Sequence, residues 1–187
     1  MAGAARRRLK AKRRPLVALA LAPLLLAAGA SAPDPARMLA GRYAHHFTNA
    51  MQDGERYASD DVVEIVPIAP RAAYVRAHIE FTNGHYCAIY GVARAEGDAL
   101  VYRDPRPAVR DHGRCVLTVR RAGKSLSIDD GAHASCWPGN CGVRGSLTGV
   151  KLPYASKRPI RYLPRLKASR EYRSALAEWR TGKPVEP

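Results

Sequence analysis

Four cysteines constrain this chain more than any other feature, and two of them fall within one short segment. Residues 136–145 read CWPGNCGVRG, which combines two cysteines, a tryptophan, a Pro-Gly turn signal and an arginine close to two glycines. We call this segment the cysteine loop. The other two cysteines, Cys87 and Cys115, lie in segments with the pattern of strands. The fold therefore depends on how these four thiols are used.

Residues 1–30 have the composition of a signal peptide. Seven Lys and Arg residues precede an apolar stretch at residues 16–28, which is shorter than the about 20 residues needed to span a bilayer. Small residues follow, and we expect cleavage after Ala30. The pattern predicts a periplasmic or secreted protein without a transmembrane span after cleavage. Because the leader carries no acidic residue, its removal lowers the formal net charge from +15 to +8.

Export would place the four cysteines in an oxidising compartment, where disulfides form. Three pairings are possible. We favour Cys136–Cys141, which would close a small loop around the Pro-Gly pair, together with Cys87–Cys115 between two distant strands. The rival assignment is a zinc site, because two histidines lie close in sequence to cysteines. We prefer the disulfides, and we predict no metal site and no cofactor.

Residues 39–155 have the pattern of short antiparallel strands. Apolar and polar residues alternate between Ala73 and Phe81, which is the period of a strand with one buried face. Asn83-Gly84 follows directly and predicts a tight hairpin turn. Turn residues recur along the remaining segments, as is typical of a barrel or sandwich. We predict an all-β domain, an antiparallel β-barrel or sandwich of about seven to eight short strands, after a linker at residues 31–38.

Two further segments have a different character. Residues 49–59 are polar, and we expect them to form a loop. Residues 156–187 are predicted to be a basic linker and a C-terminal amphipathic helix, since the apolar residues from Pro164 to about Arg180 share one helical face. Pro164 suits a first helical turn, and Gly182 suits the end of the helix. We expect the helix to pack on the barrel; the alternative is contact with anionic lipid.

Common catalytic sequence patterns do not occur in the chain. It contains no nucleophile elbow, zinc-protease helix, phosphate-binding loop or dinucleotide fingerprint. The acidic pairs at residues 60–61 and 129–130 would point to opposite faces of a strand, and we expect both pairs to lie at strand ends. We therefore predict no catalytic residues, while the convergence of distant loops leaves a small periplasmic hydrolase as an alternative.

The cysteine loop has a structural and a functional interpretation. In the first it is a rigid corner in which glycines permit unusual backbone angles and Trp137 caps the barrel end. In the second it is presented to a partner, with the planar guanidinium of Arg144 available to a carboxylate or phosphate. The two interpretations are compatible, and they make Arg144 and Trp137 candidate binding residues.

The layout resembles that of uncharacterised exported bacterial β-barrel proteins over roughly residues 39–155. The resemblance rests on Gly41-Arg42-Tyr43, on the hairpin around Asn83-Gly84, and on the cysteine loop. More distantly, the chain is similar to the periplasmic inhibitors of C-type lysozyme, which are disulfide-bearing barrels with a Ser-Gly loop and a nearby lysine. The nearest stretch is residues 148–154, in which threonine replaces that serine. This resemblance makes Lys151 a third candidate binding residue.

These observations predict a non-catalytic binding module of the periplasm or cell envelope. The expected partner is an unknown protein or an anionic envelope polymer, and not nucleic acid, which an exported protein seldom meets. Alternatives are an inhibitor of lysozyme or another hydrolase, the small hydrolase, and a structural protein held by its basic charge. An open apolar cavity in the barrel would favour a small ligand, whereas a filled barrel with a protruding rigid loop would favour a protein partner.

Overall fold

The structure is a computed structural model that describes residues 33–109 and 111–185. The predicted signal peptide and residues 31–32 lie outside the described residues. Eight strands pair antiparallel in chain order and form a nearly closed barrel, which confirms the predicted fold class. The strands are β1 (Gly41–Ala50), β2 (Arg56–Ala69), β3 (Ala72–Glu80), β4 (Tyr86–Glu96), β5 (Ala99–Arg103), β6 (Val116–Ala122), β7 (Ser125–Asp129) and β8 (Val150–Pro153).

The central hairpin follows the sequence pattern closely. Val75, Ala77 and Ile79 of β3 point into the barrel and are buried. Asn83 and Gly84 have φ angles of 61° and 67°, the left-handed values that both central residues of a type I′ hairpin turn require. The strands on either side of this turn pair from Ala72↔Arg94 to Glu80↔Tyr86.

The interior of the barrel is filled by side chains. An eight-stranded barrel has an interior just wide enough for side chains to occupy it. The core contains apolar residues from all eight strands, and the largest fully buried ones include Tyr43, Ile65, Leu100, Leu117 and Leu126. Burial of this apolar surface is the main favourable contribution to folding.

The N-terminal end of the described chain is packed rather than extended. A short helix, α1 (Pro35–Met38), lies within the segment predicted to be a linker. Ala36 and Leu39 are buried in the barrel core. The Nζ atom of Lys157 donates to the Met38 carbonyl at 2.6 Å. The packed part of the chain therefore begins before residue 39.

The barrel closes through residues that follow β8. Arg42 and Arg158 exchange two backbone hydrogen bonds of 2.8 Å each, and the Ala44 N–H donates to Ser156 Oγ at 3.1 Å. Inside this seam, the rings of Tyr43 and Tyr154 lie 5.6 Å apart. The seam therefore joins β1 to the C-terminal segment as well as to β8.

The prediction of a loop at residues 49–59 is wrong. β1 and β2 pair continuously from Gly41↔Ile65 to Ala50↔Arg56, which leaves only residues 51–55 for the turn. Asp60 and Asp61 consequently lie within β2, and not at a strand end as predicted; the pair at residues 129–130 does follow the prediction. Polar residues extend these strands because Asp60 and Asp61 face His46 and His45 across the ladder.

The predicted disulfide pairing is also wrong, although all four cysteines do form disulfides. The bonds are Cys87–Cys141 and Cys115–Cys136. Sequence proximity favoured Cys136–Cys141, but residues 140–142 pair with β4 and place Cys141 directly opposite Cys87. Since no cysteine is free, the rival zinc assignment has no thiolates to use.

The C-terminal segment forms two helices instead of the one predicted, α2 (Leu163–Lys167) and α3 (Arg170–Thr181). The break occurs because Ser169 starts a new helix, with its Oγ atom accepting the Tyr172 N–H at 3.2 Å. Gly182 ends α3 in the left-handed conformation, as predicted. In the described part of the chain, no helix is both long and apolar enough to cross a membrane.

The two helices pack on the outer face of the barrel. The ring of Tyr172 lies 4.8 Å from that of Tyr74 in β3. Val66, Leu166 and Ala175 complete a second buried cluster, which is separate from the barrel core. The expected docking of the C-terminal helix on the barrel is confirmed.

A buried carboxylate connects the outer face to this C-terminal segment. Glu64 of β2 is fully buried, and Nε of Arg76 donates to its Oε2 at 2.5 Å. The Tyr162 hydroxyl donates to the other oxygen of Glu64. Burial and the hydrogen bond to Glu64 both raise the pKa of Tyr162. Burial lowers the pKa of Arg76, but the hydrogen bond and charge of Glu64 outweigh it and raise that pKa overall.

Peptide mapping without reduction tests the disulfides. Trypsin leaves Cys136 and Cys141 together in residues 125–144, with Cys87 in residues 77–94 and Cys115 in residues 115–120. The observed pairing predicts one species of three linked peptides. An internal bond in 125–144, with 77–94 joined to 115–120, would contradict it. The remaining pairing, Cys87–Cys136 with Cys115–Cys141, would also link three peptides. The double variant Cys115→Ser/Cys136→Ser is the control for it, because with the observed pairing Cys87 and Cys141 stay bonded and no thiol is free.

Replacement of Tyr162 by Phe tests the buried carboxylate. The variant leaves one buried Glu64 oxygen without its donor, so we expect a loss of about 1–3 kcal/mol in the free energy of unfolding, measured with urea. Tyr172→Phe is the matched control, because in the described residues no hydrogen bond is made by the Tyr172 hydroxyl. An equal loss in both variants would contradict a specific role for the Tyr162 hydroxyl.

Candidate functional site

A buried acidic residue anchors both ends of the cysteine loop. Asp130, which follows β7, is almost fully buried, and its Oδ2 atom accepts the Cys136 N–H at 3.1 Å. Its Oδ1 atom accepts the Thr148 hydroxyl at 2.7 Å. Because Thr148 follows the loop in the chain, one carboxylate holds both the entrance and the exit of the loop.

The middle of the loop adds a short strand segment to β4. The Ala88 N–H donates to the Asn140 carbonyl at 2.7 Å, and the Gly142 N–H donates to the Tyr86 carbonyl at 2.8 Å. The Cys87–Cys141 disulfide lies between these two hydrogen bonds. β5 pairs with β4 only over residues 94–96, so the loop occupies the part of β4 that β5 leaves open.

The end of the loop is a tight turn at residues 142–145, which we call the presented turn. The Gly145 N–H donates to the Gly142 carbonyl at 2.8 Å, so Val143 and Arg144 occupy the two central positions of a β-turn. Val143 is 80% exposed, and Arg144 is also exposed. An apolar and a cationic side chain thus project side by side from an anchored backbone.

Close contacts explain the glycines on both sides of the presented turn. A Cβ atom on Gly145 would lie 2.7 Å from Cys87 Sγ, and one on Gly142 would lie 3.0 Å from His85 Nδ1. Both distances are shorter than normal contacts between these atoms. A side chain at either position would have to displace these neighbours before the turn could lie this close to β4.

Trp137 lies at the base of the cysteine loop and not in the presented turn. Its ring stacks on His112, with centroids 5.6 Å apart, and His112 Nδ1 hydrogen-bonds the His133 carbonyl at 3.0 Å. Arg106 donates to Asn140 Oδ1 at 3.3 Å. These contacts tie the loop to the connection between β5 and β6, which gives Trp137 a positioning role here.

Lys151 lies outside the cysteine loop. It is exposed on β8, opposite Ser127 of β7. In the stretch that resembles the lysozyme inhibitors, the Thr148 hydroxyl is already donated to Asp130, and Tyr154 packs in the barrel seam against Tyr43. Trp137 and Arg144 thus lie in the cysteine loop, whereas Lys151 lies on β8.

Two exposed tyrosines beside the loop were missed in the sequence. Tyr86 and Tyr90 of β4 are 50% and 37% exposed. The ring of Tyr86 stacks on His78 at 5.0 Å. The signal was present, because Cys87 and Ile89 point inward and the residues between and around them must point outward. A recess of about 470 Å³, the loop recess, is lined by His85 and Tyr86 together with Asn140 of the cysteine loop.

Three histidines of β1 and β3, namely His45, His46 and His78, lie beside carboxylates near the surface. His46 Nδ1 lies 2.9 Å from Asp60, and His78 Nε2 lies 2.6 Å from Glu80. Within residues 33–109 and 111–185, no group of three His, Cys, Asp or Glu residues is placed to hold a metal ion. The presented turn thus combines exposed side chains with a backbone that is held by hydrogen bonds.

No protein-family model, curated protein or solved structure matches this chain.

Replacement of Gly145 by Ala tests the close approach of the presented turn to β4. The added methyl group would overlap Cys87 Sγ, and we expect a loss of about 1–3 kcal/mol in the free energy of unfolding. Reoxidation of the reduced variant should also form the Cys87–Cys141 bond more slowly. Wild-type stability together with a wild-type reoxidation rate would contradict the packing described here.

Proposed function

We propose that the protein is a non-catalytic binding module of the periplasm or cell envelope, and that it holds a protein partner through the presented turn. The observation that carries the proposal is the 80% exposure of Val143 at the tip of a loop anchored by two disulfides. A filled barrel offers no large internal site to a ligand. Two disulfides also suit a protein that works in an oxidising compartment.

The energetics of docking favour such a turn. A loop that is already fixed loses little conformational entropy when it binds. Val143 contributes apolar area, while the guanidinium of Arg144 can form a bidentate pair with a carboxylate. The chain carries a formal net charge of +15 with the leader and +8 without it, which accelerates association with an acidic partner. We therefore expect a partner with an acidic cleft or patch.

Capture from an envelope extract tests the proposal. The exported, oxidised protein serves as bait beside Val143→Asp and Arg144→Ala, and we expect each substitution to lower the affinity for the captured protein at least about tenfold. Arg173→Ala is the charge-matched control, since Arg173 is exposed on α3. Melting temperatures of all four proteins should agree within error, because both turn residues are exposed.

Two outcomes would contradict the proposal. The first is equal capture by the wild type and both turn variants. The second is loss of all capture in high salt with no effect of Val143→Asp, because exposed charges are screened over about 3 Å at 1 M salt. That second pattern would support the structural protein held by its charge instead.

A further inference from the structure

A second concave site lies on the outer face of the barrel, where the C-terminal segment crosses β1–β4. We call it the tyrosine cavity. Its volume is about 450 Å³, which is within the range of roughly 300–1,000 Å³ typical of small-molecule sites. The polar and aromatic side chains that line it are Arg42, Arg76, His78, Tyr90, Tyr162 and Glu171.

Aromatic and aliphatic groups form part of its wall. Tyr90 lies opposite Arg76 across the β3–β4 ladder and is 37% exposed. Tyr162 is held in place by its hydrogen bond to the buried Glu64. Arg165 lies over the Tyr162 ring at 5.4 Å from its centroid, so Tyr90 is the ring that is open to a ligand. A tyrosine ring offers an apolar face and a polar tip, and Tyr90 can contact the C–H face of a ligand while its hydroxyl remains near the ligand's polar groups.

The charges around the cavity balance. Arg76 is paired with Glu64, and Arg42 has no ion-pair partner within the described residues. Glu64 does not line the cavity, but it neutralises Arg76. The charges left in the lining are those of Arg42 and Glu171, one of each sign, so the site does not select a charged ligand over a neutral one. Guanidinium, imidazole and carboxylate groups together provide several planar donors and acceptors.

We propose that the tyrosine cavity binds a sugar unit of an uncharged glycan. A pyranose ring has apolar C–H faces and a rim of hydroxyl groups that both donate and accept hydrogen bonds. The exposed ring of Tyr90 matches one face, and Arg42, His78 and Glu171 match the rim. This site is separate from the presented turn, and the proposal does not depend on the function proposed for that turn.

The tyrosine cavity and the loop recess share one lining residue, Ala88. This small residue lies between Tyr86 and Tyr90 on the exposed face of β4. Tyr86 projects from the same face of β4, about 13 Å from Tyr90 at a rise of roughly 3.3 Å per residue. A glycan of several units would therefore run along β4 from the tyrosine cavity toward the cysteine loop.

The site is suited to binding and not to cleavage of a glycosidic bond. Glycoside hydrolysis generally requires a carboxylic acid with a raised pKa beside a second carboxylate. Glu64 has both oxygens in hydrogen bonds and does not line the cavity. The backbone N–H of Glu171 and the Ser169 hydroxyl lower the pKa of Glu171, so it carries no proton to donate near neutral pH.

Calorimetry with defined trisaccharides tests the proposal on the exported, oxidised protein. Maltotriose and chitotriose are the uncharged probes, and trigalacturonate is the anionic one. We expect at least one uncharged probe to bind, with affinity lowered about tenfold or more by Tyr90→Ala. Tyr90→Phe, which keeps the ring face, should retain affinity within about twofold.

Three results would overturn the proposal. They are no heat of binding from either uncharged trisaccharide at millimolar concentration, binding of trigalacturonate alone, and binding that Tyr90→Ala leaves unchanged. Melting temperatures of the two Tyr90 variants show that the fold is intact. Val143→Asp should bind the sugar like the wild type, which separates this site from the presented turn.

Discussion

The hydrogen-bonded pairing of residues 140–142 with β4 is the contact that fixes the position of the cysteine loop on the barrel. β4 has β5 as its neighbour over residues 94–96 and the cysteine loop as its neighbour over residues 86–88. The Cys87–Cys141 disulfide lies within that second pairing. The presented turn therefore cannot move away from the barrel unless two backbone hydrogen bonds and a covalent bond are broken.

Because side chains fill the interior of the barrel, its candidate binding sites lie on the outside. Apolar residues of all eight strands fill the core, and α2 and α3 cover part of the outer face through a second cluster around Tyr74 and Tyr172. The remaining outer face of β3 and β4 carries His78, Tyr86 and Tyr90. The presented turn and the tyrosine cavity both border this face, and Ala88 lies between them.

The sequence predicts the local features of this fold better than its long-range contacts. Alternation in β3 and the Asn83-Gly84 turn identify the central hairpin, because both depend on neighbouring residues. The pairing of Cys87 with Cys141 depends on a loop that adds to a strand more than 50 residues away, and nothing within the loop reveals that. The polar residues of β2 are misleading for a related reason: Asp60 and Asp61 face histidines of β1, and these partners make strand structure compatible with their polarity.

For the candidate site, the sequence identifies the loop and its arginine but not its geometry. The two glycines at residues 142 and 145 suggest backbone freedom, whereas the structure shows a packing reason: a Cβ atom would crowd His85 at residue 142 and overlap Cys87 Sγ at residue 145. Trp137 is a conspicuous residue in the sequence, yet it stacks on His112 at the base of the loop. The residues of the tyrosine cavity come from β1–β4 and the C-terminal segment, so no single sequence motif predicts this cavity.

Backbone ¹⁵N relaxation of the oxidised protein tests most directly whether the presented turn is rigid. We expect order parameters for Val143 and Arg144 near those of β4, about 0.85, although their side chains are exposed. Values below about 0.6 for both residues would show a flexible loop. That result would contradict the claim that the disulfide and the pairing with β4 hold these two side chains ready for a partner.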